Sequence, residues 1–161
     1  MYKKGNRIID KIIDVKKMMS LVNKWKQNGE SIVFTNGCYD IFHKGHVHSI
    51  YSAAEFGDRL IVAINADASV KRIKGNDRPI NNEYDRAYVL AAMGCVDAVV
   101  IFEEDTPERL LSMIRPNILV KGADYKIEEV VGREFADKVE LIIYIDGYST
   151  TGMINKMGLV N

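Results

Sequence analysis

Histidine is scarce in this chain and confined to one place: all three, His43, His46 and His48, fall in the stretch "FTNGCYDIFHKGHVHSI". Cysteine is scarcer still. Two residues, Cys38 and Cys95, are too few for a disulfide framework and fit a reducing cytoplasm. Both read as small buried hydrophobes, although Cys38 lies inside the histidine loop. Net charge is missing too, since 22 basic residues cancel 22 acidic ones. That removes any general attraction for nucleic acid or an anionic membrane, so an anion must be held by a local site. No apolar run approaches the ~20 residues needed to span a bilayer. The opening "MYKKGNRIIDKIIDVKKMM" is basic but broken by acids, unlike a secretory signal. Repeats and low-complexity tracts are absent. A 161-residue chain of ordinary composition is then expected to be one domain, 1–161, with a core of its own.

Two periodicities alternate along it. "SIVFTN" (31–36), "RLIVAIN" (59–65), "AVVIF" (98–102), "NILVKG" (117–122) and "ELIIYID" (140–146) are short runs rich in Ile and Val, as expected of parallel strands buried on both faces. Between and after them the spacing predicts helices over about 46–56, 81–94, 106–115, 127–138 and 150–158. Thr106-Pro107-Glu108 offers an N-cap, a proline at the first helical position and an acid in the first turn. A further helix over about 10–28 precedes the first strand, with Val15, Met18, Met19 and Val22 at helical spacing and Asn28-Gly29 as its stop. The order is α then (βα)₅, which predicts an α/β fold. Its core is a Rossmann-like, doubly wound, five-stranded parallel sheet with helices on both faces. An N-terminal helical extension (1–30) precedes a core at 31–157, and packs on the sheet or on a second subunit. Such sheets bind ligands beyond the carboxyl ends of their strands. The histidine loop, the "KG" of "VKGADY" and "DGYSTT" follow the first, fourth and fifth strands, so they converge at that edge.

Three chemistries compete for the histidine loop. A zinc site usually recruits ligands from a second segment. Only Cys38 is near, and the i, i+4 histidine pair with a glutamate is absent. An ordinary surface loop is the plain alternative. The third is a phosphate cradle, in which a strand turns into a helix whose first N–H groups and partial positive charge face the crevice. Gly45 would remove a Cβ where a polyphosphate approaches, and His43 and His46 would add donors from one face. His48 falls out of phase with that pair and reads as a helix-surface residue.

"GCYDIFHKGHVHSI" resembles the H-x-G-H signature of the cytidylyltransferase-like nucleotidyltransferases, and "GYSTT" resembles their second signature. The segment between, from "AINADASVKRIKG" to "RPNILVKGADY", is similar to the branch of that family that adenylylates D-glycero-β-D-manno-heptose 1-phosphate. The likeness runs from about Ser31 to Met157. It implies transfer of AMP from ATP to the sugar 1-phosphate with release of pyrophosphate, Mg²⁺ arriving mainly on the ATP phosphates, a homodimer, and no nucleic-acid or membrane partner. Relatives are often fused to a sugar kinase; 161 residues leave no length for one, so a stand-alone form is expected. The resemblance gives His43 and His46 the triphosphate and the transition state. Phe34, Thr35, Asn36 and Gly37 line the nucleotide through their backbone. Asp40 is the motif acid, fixing the loop or sitting near the metal-bound phosphate. Lys74 of "RIKG", rather than Lys71, matches a phosphate-binding lysine on a flexible segment, and Arg86 an arginine near the nucleotide. Asp124, beside Gly122, matches a residue near base and ribose, and Lys121 helps with phosphate. Ser149, Thr150 and Thr151 cap the last helix and donate to the terminal phosphates. Some family members carry an arginine near the second signature. "IIYIDGYSTT" has none, which argues against a cytidylyltransferase more than against the family.

A phosphate monoester is largely a dianion at neutral pH, its second pKa being near ~6. The implied nucleophile therefore needs no general base, and what remains is positioning and electrostatics. Each residue also has a structural reading: Ser149 to Thr151 as a plain N-cap, Asp124 as a turn former, "KGND" at 74–77 as a solvated loop. Other acceptors, such as glycerol 3-phosphate with CTP or FMN with ATP, would use the same motif pair. An aminoacyl-tRNA-synthetase-like activating enzyme would need a Lys-Met-Ser-Lys-Ser-like loop that is missing here. A nucleotide-binding regulatory module without turnover would not need the histidines and Lys74.

Overall fold

The computed structural model describes residues 7–143 and 145–158. Five strands, β1 (Ile32–Gly37), β2 (Arg59–Asn65), β3 (Ala98–Phe102), β4 (Ile118–Gly122) and β5 (Lys138–Ile142), form one parallel sheet in the order β3-β2-β1-β4-β5. The chain winds outward from β1 to β3, then returns to β4 on the other side of β1. The switch point therefore lies between β1 and β4, where their carboxyl ends diverge.

Alternation along each strand separates two cores. On one face Ile32, Phe34, Ile61, Ala63, Val100 and Leu119 pack with helices α1 (Val15–Gln27) and α5 (Glu108–Ile114) through Met18, Val22, Trp25 and Leu111. On the other face Val33, Leu60, Val62, Ile64, Val99 and Val120 pack with α2 (Lys44–Ala54) and α4 (Glu83–Ala91) through Ile50, Ala53, Ala87 and Leu90. Helices therefore cover both faces, as the alternation predicts.

The N-terminal extension belongs to this sheet. A 3₁₀ turn over Ile8–Lys11 leads to a parallel bridge between Ile12 and Val99, on the outer side of β3. Helix α1 starts after it, with the Asp14 carboxylate accepting from the Lys17 amide at 2.7 Å. It stops at Asn28, followed by Gly29 at φ +76°, the stop expected from Asn-Gly.

Four expectations need correction. The segment after β2 forms helix α3 (Asp67–Lys74), where a flexible stretch was expected. The polar "ADASVKRIK" hides it, because only Ser69 and Val70 are buried. The helix expected over 127–138 is replaced by two 3₁₀ turns, Ile127–Glu129 and Arg133–Phe135. Gly132 sits between them at φ +80°, and a Cβ there would come within 2.4 Å of Leu111 Cδ1. A left-handed residue cannot continue a right-handed helix. Finally, α5 begins at Glu108 with Pro107, not Thr106, at the N-cap position. The last strand also runs earlier than the expected 140–146, ending where β4 ends, with the Ala123 amide donating to the Ile142 carbonyl at 2.8 Å. Tyr144, within that expected range, lies outside the described residues, as do 1–6 and 159–161 of the expected 1–161 domain.

Replacing Gly132 by Ala forces either left-handed strain or movement of Leu111. Chemical denaturation is expected to show a loss of about 1–3 kcal/mol, with no gain in helical circular dichroism.

Candidate active site

The loop after β1 turns sharply. Tyr39 takes φ +49° and is nearly buried, and a Cβ on Gly37 would lie 3.0 Å from its ring. Asp40 then goes inward. Its carboxylate accepts from Arg78 Nε at 2.6 Å and from the amides of Ile80 and Asn81 at 2.9 and 2.8 Å. Burial pushes this carboxyl upward, but the two amides and the guanidinium outweigh it and hold it below its usual value. With both oxygens so engaged, Asp40 ties the loop to the segment around Arg78. Among the described residues, no group of three His, Cys, Asp or Glu side chains is placed to hold a metal.

His43 is the N-cap of α2. Its Nδ1 accepts from the Gly45 amide at 3.1 Å, so the proton of the neutral ring sits on Nε2, which is buried with no partner. His46, one turn on, stacks on His43 with ring centroids 3.8 Å apart, and Tyr39 and Phe42 close around it. Its Nδ1 is likewise buried and unpartnered. Burial lowers the His43 pKa, while burial and the neighbouring His43 lower that of His46 to about 4. At neutral pH the pair is two uncharged rings with unspent polar atoms. His48 is exposed on α2 and lines nothing, as its phase implied.

Gly45 lines the crevice as expected, and protein atoms also need its bareness. A Cβ there would meet the His43 ring at 3.0 Å and Tyr148 Cβ at 3.1 Å. Its bareness therefore makes room for the histidine and for Tyr148, whose ring lies 6.2 Å from that of His43. Tyr148 also brings the start of helix α6 (Thr150–Met157) against the loop. Ser149 caps α6, its Oγ accepting from the Gly152 amide at 3.0 Å. Two helix N-termini thus face one crevice of about 700 Å³, a favourable place for an anion.

That crevice is also lined by Thr35, Asn36, Gly37, Lys74, Lys121 and Gly122, and by Asp124, Ser149, Thr150 and Thr151. Lys74 reaches it from the end of α3, whereas Lys71 does not. Lys121 donates to Asn36 Oδ1. Burial lowers its pKa to about 8, partly offset by Asp124. Two expected residues lie elsewhere. Phe34, expected to act through its backbone, is not among the residues that line the crevice, and its ring is fully buried in the core. Arg86 is also buried, donating to the carbonyls of Cys38 and Asn81 and to the Asp67 carboxylate. It braces the histidine loop from behind and does not line the crevice. Missed from the sequence were the aromatic walls Tyr39, Tyr125 and Tyr148, and Arg78. Arg78 is visible only through its pairing with a carboxylate 38 residues away.

A parallel sheet opening at its switch point onto two helix N-termini, a histidine pair and two lysines is the framework of a nucleotidyltransferase. The family model described as cytidylyltransferase-like matches residues 34–154, and the chain belongs to that family. The bifunctional protein HldE of a Nitratiruptor species is 57% identical over 131 residues, which are 81% of this chain and 28% of that protein. HldE of Helicobacter pylori is 49% identical over 152 residues, covering 94% of this chain and 32% of the relative. The chain thus spans about three-tenths of the length of these curated relatives. Among solved structures, a lipopolysaccharide core biosynthesis protein from Thermoplasma volcanium superposes with a TM-score of 0.60 at 27% identity, over 75% of this chain and all of the other. A pantoate-beta-alanine ligase from Francisella tularensis shares the fold, with a TM-score of 0.61 at 18% identity over 93% of this chain and 79% of the other.

The histidine pair makes acid stability a readout. The folded pKa of His46 is depressed below that of the unfolded chain, so the unfolded state binds more protons between pH 6.5 and about 4. Stability conferred by the neutral ring is present above pH 6.5 and falls through that window, by at most about 3 kcal/mol. His46→Gln should flatten the decline in urea unfolding between about pH 7 and pH 4. An unchanged slope would mean that the ring is not held neutral. Lys121 predicts the complementary behaviour toward ligands. Tripolyphosphate binding should weaken as pH rises through about 8, and Lys121→Arg should shift that loss far upward in calorimetric titrations.

Proposed function

We propose that this chain transfers AMP from ATP to D-glycero-β-D-manno-heptose 1-phosphate, releasing pyrophosphate and forming ADP-heptose. The observation that carries the reading is the pair of stacked histidines with unspent nitrogens, set between two helix N-termini in a chain about half identical to HldE proteins over most of its length. A phosphate oxygen of the acceptor attacks the α-phosphorus while the bond from that phosphorus to the bridging oxygen of the pyrophosphate breaks. No proton has to be removed from a dianionic acceptor. His43 Nε2–H donates to a non-bridging oxygen, with the ring held in that tautomer by the Gly45 amide. His46 takes on charge only when the polyphosphate arrives, because an anion raises the pKa that burial has lowered. The α6 N-terminus with Thr150 and Thr151 receives the terminal phosphates beside Lys121, and Lys74 neutralises phosphate charge from the other flank of the crevice. Mg²⁺ enters with ATP as part of the substrate and neutralises the leaving pyrophosphate. A homodimer and a cytoplasmic setting belong to the same proposal; no described helix is long and apolar enough to cross a membrane.

The test offers purified protein ATP, CTP, GTP or UTP, each with heptose 1-phosphate, glycerol 3-phosphate or FMN, while pyrophosphate release is followed. Turnover should concentrate in the ATP and heptose 1-phosphate pair, and omission of Mg²⁺ should abolish it. Turnover with CTP and glycerol 3-phosphate would reassign the acceptor. ATP binding without turnover in any pair would point to a regulatory module. Within the active pair, His46→Ala should lower kcat and kcat/KM together by about 10²–10³-fold, as for loss of one transition-state donor. A rise in KM for ATP alone would remove its transition-state role. The double change Thr150→Ala, Thr151→Ala should weaken ATP and pyrophosphate far more than AMP; equal loss for AMP would mean only a lost cap.

A further inference from the structure

We infer that Arg78 is a second anion-binding residue of the crevice and holds the phosphate of the acceptor, an inference that rests on the nucleotidyl-transfer reading. Its Nε is committed to the fully buried carboxylate of Asp40 at 2.6 Å. Neither Nη has a hydrogen-bond partner among the described residues, and the side chain lines the crevice while remaining only 12% exposed. A guanidinium clamped at one edge and free at the other is a preorganised fork for phosphate oxygens, since little side-chain freedom remains to be lost on binding. If Arg78 served only to neutralise Asp40, nothing would require its free edge to face the cavity.

Topology decides which phosphate it meets. The strand order places the segment after β2, which carries Lys74 and Arg78, on one flank of the histidine loop. It places the segment after β5, which leads into Ser149 and α6, on the opposite flank. Attacking and leaving oxygens lie roughly in line across the α-phosphorus. A pyrophosphate leaving toward α6 therefore requires the nucleophile to come from the Arg78 side. Asp105, which lines the same flank, has Oδ1 paired with Arg72 and keeps Oδ2 for a sugar hydroxyl.

The test compares wild type with Arg78→Gln and Arg78→Lys, using KM for heptose 1-phosphate and calorimetric Kd for ATP. Arg78→Gln should raise the acceptor KM about 10–100-fold, as for loss of charge-assisted hydrogen bonds, and leave the ATP Kd within about 3-fold. Arg78→Lys keeps a cation near Asp40 but loses the fork, so an acceptor loss of about 10-fold is expected. That variant decides the matter if Arg78→Gln unfolds on thermal melting. Loss confined to ATP would overturn the assignment, as would equal loss for both substrates or no change in the acceptor. If wild type turns over glycerol 3-phosphate instead, the same KM comparison is made with it. In that case the heptose reading fails while the role of Arg78 stands or falls on its own result. If no acceptor turns over, inorganic phosphate is titrated into the ATP-loaded proteins. Binding that Arg78→Gln abolishes supports the inference, and binding that it leaves intact, or no binding to wild type, ends it.

Discussion

Two buried charges of opposite sign determine where the histidine loop lies. Asp40 reaches out of the loop to hold Arg78 and the amides of Ile80 and Asn81. Arg86 reaches in from α4 to hold the carbonyls of Cys38 and Asn81 and the Asp67 carboxylate. The loop between β1 and α2 is thereby stitched to the start of α3, the segment after it and α4. Removing one partner of such a web leaves an uncompensated buried charge, commonly a loss of about 3–5 kcal/mol. The web costs desolvation, and what it secures is position: His43 and His46 from the start of α2 and Lys74 from α3 face one crevice.

The same loop shows how a binding site can be strongly polar without being strongly charged. Its imidazoles are kept neutral by Tyr39, Phe42 and each other, and Lys121 is poised near the top of the physiological range by burial. In the proposed reaction an arriving polyphosphate brings the field that charges them. The interactions strengthen as negative charge accumulates, which is the distinction between binding a ground state and favouring a transition state. Fixed cations on every wall would hold substrate and product pyrophosphate alike.

Much of this was legible in the sequence. β2 and β3 coincide with their apolar runs residue for residue, because strands buried on both faces have no polar positions to blur the edges. The phase of His43, His46 and His48 sorted two crevice residues from one surface residue. Illegible were features that depend on a partner distant in sequence. Arg86 looks like a crevice arginine until the Cys38 carbonyl, 48 positions earlier, claims it. Arg78 carries no spacing signal, and Gly132 breaks a plausible helix with a left-handed backbone held against Leu111. Gly45 has neighbours the sequence did not reveal, His43 and Tyr148, since a glycine states that something comes close and not what it is.

The N-terminal segment was expected to pack on the sheet or on a second subunit. Its bridge from Ile12 to Val99, with the Ile13 amide donating to the Val99 carbonyl at 3.0 Å, covers part of the outer margin of β3. Ile12 packs toward one core and Ile13 toward the other. An uncovered strand margin is a template for pairing with other chains, and proteins blunt such margins by covering or charging them. Here the two margins are treated differently. The β3 side is covered by the protein's own chain, while the β5 side carries the charged pair Lys138 and Glu140. A segment with no part in the chemistry thus serves as a guard against strand-to-strand aggregation, leaving β5 as the flank where unwanted pairing would begin.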